Sequence, residues 1–370
     1  MSDIGLKLRR GDPAPVWTAA TDANPRFVFS SLAGRYVLLG FLGSATQPGT
    51  AQALAALSGA GTALNGEHAC ALLISIDKAD REQSRVVQSP PFWRAVWDFD
   101  AAVSQAYGVA APGEGGLRYA PCWVLLDPQL RVLETAPIQA LPDLLSRLAA
   151  LPPPNRHAGA VVPAPVLVLP RVFEPELCQA LIVEYDRQGG EMSGFMREVN
   201  GQTVAVHDRS HKVRRDVLLE EGALKTATRQ RIASRLVPEI ARSFQFQVTR
   251  LERFLVACYA AEEGGHFAPH RDNTTKGTAH RRFAVSINLN AEDFEGGDLR
   301  FPEFGSTLYR PPTGGAVVFS CSLLHQALPV TAGRRYAFLP FLYDEAAAKI
   351  RAENLKFIAG STHQDPPPAS

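Results

Sequence analysis

The chain has 370 residues, 46% hydrophobic and 8% aromatic, a composition that builds packed cores and at roughly 100–200 residues per domain argues for two of them. Lys and Arg number 38 against 37 Asp and Glu, for a net charge of +1; splitting the chain near residue 155 leaves 12 basic against 13 acidic residues before it and 26 against 24 after it. No global field draws in a nucleic acid or an anionic membrane, so neither is expected as a partner. The opening MSDIGLKLRRGDPAP has no apolar signal core, and no apolar run approaches the roughly 20 residues that span a bilayer, so a cytoplasmic protein is expected. The five cysteines (Cys70, Cys122, Cys178, Cys258 and Cys321) are odd in number and include no CxxC pair, which argues against a disulfide scaffold or a paired-thiolate zinc site.

In chain order, RYVLLGFL (35–42), ACALLISID (69–77) and PCWVLLD (121–127) are nearly continuous apolar runs, as strands buried on both faces require. Helices are predicted at 50–59, 79–88, 99–107 and 140–150, an alternating α/β order. The Pro- and Ala-rich stretch at 151–165 reads as a linker. Beyond it, PVLVLPRVF (165–173) precedes predicted helices at 174–188 and 221–243. Strands are then predicted at 250–260, 281–290, 314–320 and 334–343, an α+β order. A C-terminal helix and a Pro-rich tail, frayed from Gly360, are expected over 346–370.

The first unit resembles the thioredoxin-like fold in its peroxiredoxin or thiol-disulfide reductase branch, over about residues 10–150. The resemblance rests on GDPAPVW (11–17), FLGSATQPGTAQALAAL (41–57) and YAPCWVLLDPQLRV (119–132), and it implies that Pro121 is the family's cis-proline. The reactive thiol of that family opens the helix after the first core strand, where the helix dipole favours the thiolate. Here that stretch is Ser44-Ala45-Thr46-Gln47-Pro48-Gly49-Thr50, without sulfur, so a redox-inactive domain is expected. Cys122 is read as a buried small hydrophobe. Gly43 to Thr50 has no lysine and is not a phosphate loop.

His270-Arg271-Asp272 carries the chemistry of the second unit. Two residues apart on a strand, His270 and Asp272 would face the same side. HxD alone is common, but His325 follows 53 residues after Asp272 and Arg335 ten residues after that. Two imidazoles and one carboxylate on one side of an octahedral ion leave three positions open, the arrangement of non-haem Fe(II) oxygenases. The unit resembles the prolyl 4-hydroxylase branch of the 2-oxoglutarate and Fe(II)-dependent oxygenases. The matching stretches are Cys258-Tyr259, GGHFAPHRD (264–272), RRFAVSINLN (281–290), GGDLRFPEFG (296–305), PPTGGAVVF (311–319) and HQALPVTAGRR (325–335).

That resemblance implies a double-stranded β-helix (jelly roll) over 166–345, with His270, Asp272 and His325 as iron ligands. It also implies Arg335 as the partner of the far carboxylate of 2-oxoglutarate. Tyr259 would help to hold that cosubstrate, although AEE (261–263) lengthens the connection to the glycines, and Asn288 would line its pocket. The cosubstrates are 2-oxoglutarate and O2, with ascorbate as a further ligand. The implied reaction is hydroxylation of an amino-acid, peptidyl (including prolyl) or other small substrate, with release of succinate and CO2. The first domain would serve in homodimerisation or in binding a protein partner. The alternative is a redox- or oxygen-responsive sensor that uses Cys122.

The segment HDRSHKVRRDVLL (207–219), with six basic or imidazole side chains, reads as a basic lid over a substrate or as a solvated loop. Arg281 or its neighbour Arg282 is a further substrate-side candidate. His266 and His280 fit no ligand spacing and read as rim or loop residues, whereas Cys258 and Cys321 read as core.

Overall fold

A computed structural model describes residues 6–57, 63–199 and 201–358. It divides into two compact units, Met1–Pro163 with Pro302–Ser306, and Ala164–Phe301 with Thr307–Ser370.

In the first unit the apolar runs become β1 (Tyr36–Gly43), β2 (Ala69–Ser75) and β4 (Cys122–Leu126), every residue of which is buried. With β3 (Trp93–Trp97) and β5 (Val132–Pro137) they form a sheet in the order β3-β2-β1-β4-β5. The first three are parallel and the last two antiparallel to their neighbours. Gly40 and Trp123 are register partners, and a Cβ at Gly40 would collide with the indole ring. The residue here must therefore be glycine.

The helices α1 (Pro48–Leu57), α2 (Lys78–Glu82), α3 (Ala102–Tyr107) and α4 (Leu141–Ala150) follow the predicted alternation. Proline at the first position of α1 needs no amide hydrogen, so the helix begins two residues before the predicted start. Residues 58 and 59 of that prediction lie outside the described residues. The helix predicted over 79–88 stops at Glu82, because Ser84 turns to φ 50° and the backbone cannot continue. Pro121 is not a cis-proline: the cis bond among the described residues joins Pro90 and Pro91. Pro121 instead continues the extended chain into β4 from Ala120, whose N–H donates to the Val109 carbonyl at 2.9 Å.

In the second unit, β6 (Leu167–Leu169) and α5 (Pro175–Gln188) come first. Short strands follow: β7 (Glu191–Met192), the hairpin β8 (Phe195–Val199) and β9 (Gln202–Val206), β10 (Lys212–Val213) and β11 (Arg215–Leu218). The segment 207–219, read as a lid or loop, thus supplies two strands. Its Lys212 and Arg214 are buried, because each finds polar partners inside. The predicted helix at 221–243 is α6 (Ala223–Arg231) and α7 (Val237–Phe244) joined by a π-helical turn at Ile232–Leu236. Pro238 has no N–H to donate, and the turn just before it takes up the mismatch.

The remaining strands are β12 (Arg250–Glu252), β13 (Leu255–Ala260), β14 (His266–His270), β15 (Phe283–Asn288), β16 (Phe294–Gly296), β17 (Leu299–Arg300), β18 (Leu308–Tyr309), β19 (Ala316–Ser320), β20 (His325–Ala327), β21 (Val330–Phe338) and β22 (Phe341–Tyr343), followed by α8 (Glu345–Asn354). The tail from Gly360 lies outside the described residues. One sheet runs β6-β19-β15-β21-β13-β11-β7, with β12, β16 and β22 attached beside it; a second runs β10-β14-β20-β17-β18. All pairings in both are antiparallel. Val256, Ile287 and Phe338 of the large sheet pack with Leu181 of α5 and Leu236 and Ile240 of the α6–α7 segment. The opposite face of the large sheet is left to the site.

Candidate metal centre

A cavity lies between the two sheets, lined by Phe267, His270 and His325 from the small sheet and by Tyr259, Ser286 and Arg335 from the large one. His270 ends β14 and His325 begins β20, and the two are register partners. Asp272 is not on the strand, as the alternation argument required. It follows the end of β14, where its N–H donates to the Cys321 carbonyl at 3.0 Å, and that bond turns the carboxylate back toward the imidazoles. His270 Nε2 lies 3.6 Å from Asp272 Oδ1, and His325 Nε2 lies 3.3 Å from Oδ2. One ligand atom from each of the three residues falls within 4.8 Å of the others, close enough to share one ion.

The rings are oriented for that task. His270 Nδ1 faces the Ala268 carbonyl at 2.8 Å, and His325 Nδ1 faces the Leu323 carbonyl at 3.0 Å. A carbonyl can only accept, so each Nδ1 carries the proton and each Nε2 presents its lone pair to the common point. Burial and the neighbouring His325 push His270 down to about 4, which keeps its ring neutral. A neutral, neutral and anionic donor set, buried and aimed at one point, fits a divalent transition metal.

Arg335 is 3% exposed, whereas the preceding Arg334 points outward to an ion pair with Glu262. The Arg335 guanidinium donates to Ser286 Oγ at 2.9 Å and to Asn288 Oδ1 at 3.4 Å. Its carbon stands 5.3 Å from the ring centre of Tyr259, its register partner on β13. No carboxylate forms an ion pair with it among the described residues. Asn288 does not line the cavity: its amide donates to the Pro311 carbonyl at 2.8 Å, and its oxygen backs Arg335. The inserted AEE forms a short 3-10 turn, Ala261–Glu263, that leaves Tyr259 in the cavity wall.

Several residues the sequence reading passed over complete the surroundings. Ser286 occupies the strand position two before Asn288, so alternation predicts that it shares that face. Phe267 stacks on His270 with ring centres 3.5 Å apart, and Lys212 Nζ lies 5.0 Å from the Phe267 centre. Arg214 forms a two-pronged pair with Asp216, at 2.6 Å on each prong, and reaches the Tyr259 hydroxyl at 3.4 Å. His280 is buried, not a rim residue, because Glu252 accepts from its Nε2 at 2.6 Å. Arg281, the substrate-side candidate, is likewise closed onto Glu252 at 2.7 Å, with its other prong 3.5 Å from the Asp272 carbonyl. Arg282 donates to the Ala279 carbonyl at 3.0 Å. His266, partly exposed, faces the carbonyls of Gly264 and Ser210.

Residues 254–343 match the model of the 2OG-Fe(II) oxygenase superfamily. A PKHD-type hydroxylase of Synechococcus sp. is 27% identical over 118 residues, covering 29% of this chain and 52% of the relative. The chain thus spans about half the length of the curated relatives it matches first. A Trichoplax adhaerens prolyl hydroxylase, solved with a hypoxia inducible factor peptide, is 19% identical at TM-score 0.40 and covers 51% of this chain and 86% of its own. Peroxidoxin BcpB of Mycobacterium tuberculosis is 20% identical at TM-score 0.34 and covers 39% of this chain and 99% of its own. The similarity to the 2OG-Fe(II) oxygenase superfamily thus falls on the part of the second unit that carries His270, Asp272, His325 and Arg335.

Proposed function

We propose that the protein is an Fe(II)- and 2-oxoglutarate-dependent dioxygenase that hydroxylates an amino-acid, peptidyl or other small substrate, releasing succinate and CO2. The observation that carries this reading is the sharing of one cavity by His270, Asp272 and His325 with the buried guanidinium of Arg335. In this reading His270, Asp272 and His325 hold the iron. Arg335, backed by Ser286 and Asn288 and flanked by Tyr259, grips the far carboxylate of 2-oxoglutarate, for which a guanidinium's planar fork is suited. Iron with 2-oxoglutarate and O2 supplies the oxidising chemistry when bound. The chain orients the cosubstrate and encloses the centre in a largely apolar, low-dielectric wall. Two antiparallel sheets facing each other across the site suit a double-stranded β-helix, and the parallel-centred sheet of the first unit suits a thioredoxin-like fold. Five unpaired thiols suit a reducing compartment such as the cytoplasm.

No observation favours a thiol-based sensor. Burial pushes the Cys122 thiol up to about 12, the opposite of what a nucleophilic cysteine needs. Anaerobic addition of Fe(II) and then 2-oxoglutarate to the full chain should produce the weak visible absorption of the iron–oxoglutarate chelate. If the wild-type protein gives no such band, the oxygenase reading fails.

A further inference from the structure

Beside the metal-binding triad the chain buries more positive charge than it pairs. Arg214 is closed onto Asp216, and Arg281 onto Glu252. Arg253 follows Glu252 in the chain, and its side chain forms no hydrogen bond or ion pair among the described residues. Its Nε is buried without a partner, although the residue as a whole is partly exposed.

Position ties this excess to the cavity. The Arg253 guanidinium lies 4.4 Å from the ring centre of Phe341, and Arg281 lies 4.0 Å from the same ring. Phe341 lines the cavity with His270 and Asp272. The backbone is also specialised at this point. The strand expected over 250–260 breaks between β12 and β13, and Arg253 takes φ 64°, a conformation that strains a non-glycine residue and that recurs at ligand sites. A cation that is only partly solvated, has no ion-pair partner and stands behind a ring of the cavity wall is placed to pair with an anionic group of a ligand.

We infer that Arg253 is the specificity-determining residue for a carboxylate on the primary substrate, so that the hydroxylated compound is an acid bearing a free carboxylate, such as an N-acylated amino acid or a peptide C-terminus. This rests on the oxygenase reading. It adds a second anion subsite, distinct from the one assigned to 2-oxoglutarate at Arg335, on the side of the metal marked by Phe341.

The test is calorimetric and anaerobic, on the full chain loaded with Fe(II) and 2-oxoglutarate. The ligands are the N-acetyl derivatives of the twenty common amino acids, each beside its C-terminal amide. At least one acid should bind about tenfold or more tighter than its amide, the scale of a hydrogen bond between charged groups. Arg253→Gln should erase that preference and Arg253→Lys should restore part of it, while the visible chelate band and circular dichroism stay at wild-type values. Amides that bind as tightly as acids, an acid preference that survives in Arg253→Gln, or no acid that binds to loaded wild type would each overturn the inference. A missing chelate band in wild type would instead strike the oxygenase reading.

Discussion

His270 and His325 stand opposite each other in register on β14 and β20, and each turns its Nδ1 onto the carbonyl two residues earlier in its own chain. The two Nε2 atoms converge on Asp272, which supplies the only negative charge among the three groups. Asp272→Ala should therefore reduce the iron retained after anaerobic desalting from stoichiometric to background and remove the chelate band. Retention of full iron content by this variant would show that the ligand set is wrong.

Arg335 is expected to set affinity for the cosubstrate. Arg335→Gln keeps a polar side chain but loses the charge, and a charge-assisted pair contributes about 1.5–3 kcal/mol. The KM for 2-oxoglutarate should rise by roughly 10- to 100-fold, with Arg335→Lys between variant and wild type because it keeps the charge without the planar fork. Initial-rate kinetics at varied 2-oxoglutarate would show this directly, and an unchanged KM would remove Arg335 from the role.

What the sequence exposed and what it hid divide along physical lines. The meeting of His270, Asp272, His325 and Arg335 at one cavity was legible because residues of these types stand at a telling spacing, which persists even though Asp272 lies just off the strand. Arg335 was separable from Arg334 because neighbours on a strand face opposite ways. The buried charge around them was not legible. Glu252 carries no signal of its own in the sequence, and β12 brings it against His280 and Arg281, nearly thirty residues away. Lys212 and Arg214 read as a solvated loop until β10 pairs with β14 and β11 with β13. In the first unit the alternation was plain, but the place where α2 stops depends on one backbone angle at Ser84.

Lys212 gives a pH dependence with a definite sign. Burial, then the charge of Arg214, pushes its ammonium down to about 6 in the folded chain, while an unfolded lysine titrates near ~10.4. Between these values the unfolded chain holds the extra proton, so the contribution of Lys212 to stability rises with pH across the window. Its slope is at most about 1.4 kcal/mol per pH unit. Urea unfolding of Lys212→Met, compared with wild type at several pH values from 6.5 to 9, should show a flatter dependence. Parallel pH profiles would refute the buried lysine.

In the first unit, Asp80 is fully buried and accepts from the Ala45 N–H at 2.8 Å and Ser75 Oγ at 2.7 Å, with Arg85 3.5 Å away. It pins the turn between β1 and α1 to the end of β2. Asp80→Ala leaves those donors unsatisfied and should cost about 2–4 kcal/mol. Limited proteolysis and thermal melting would read this out, with early cleavage expected near the 44–50 turn. A melt equal to wild type would contradict the assignment.

The two imidazoles present Nε2 because a backbone carbonyl holds each Nδ1, while Phe267 packs on the face of His270. The proton position on each ring is thereby independent of the side chains on the far wall. Phe341 and Arg253 make no ring contact with either imidazole, so that wall can change its composition while the aim of both Nε2 atoms is kept.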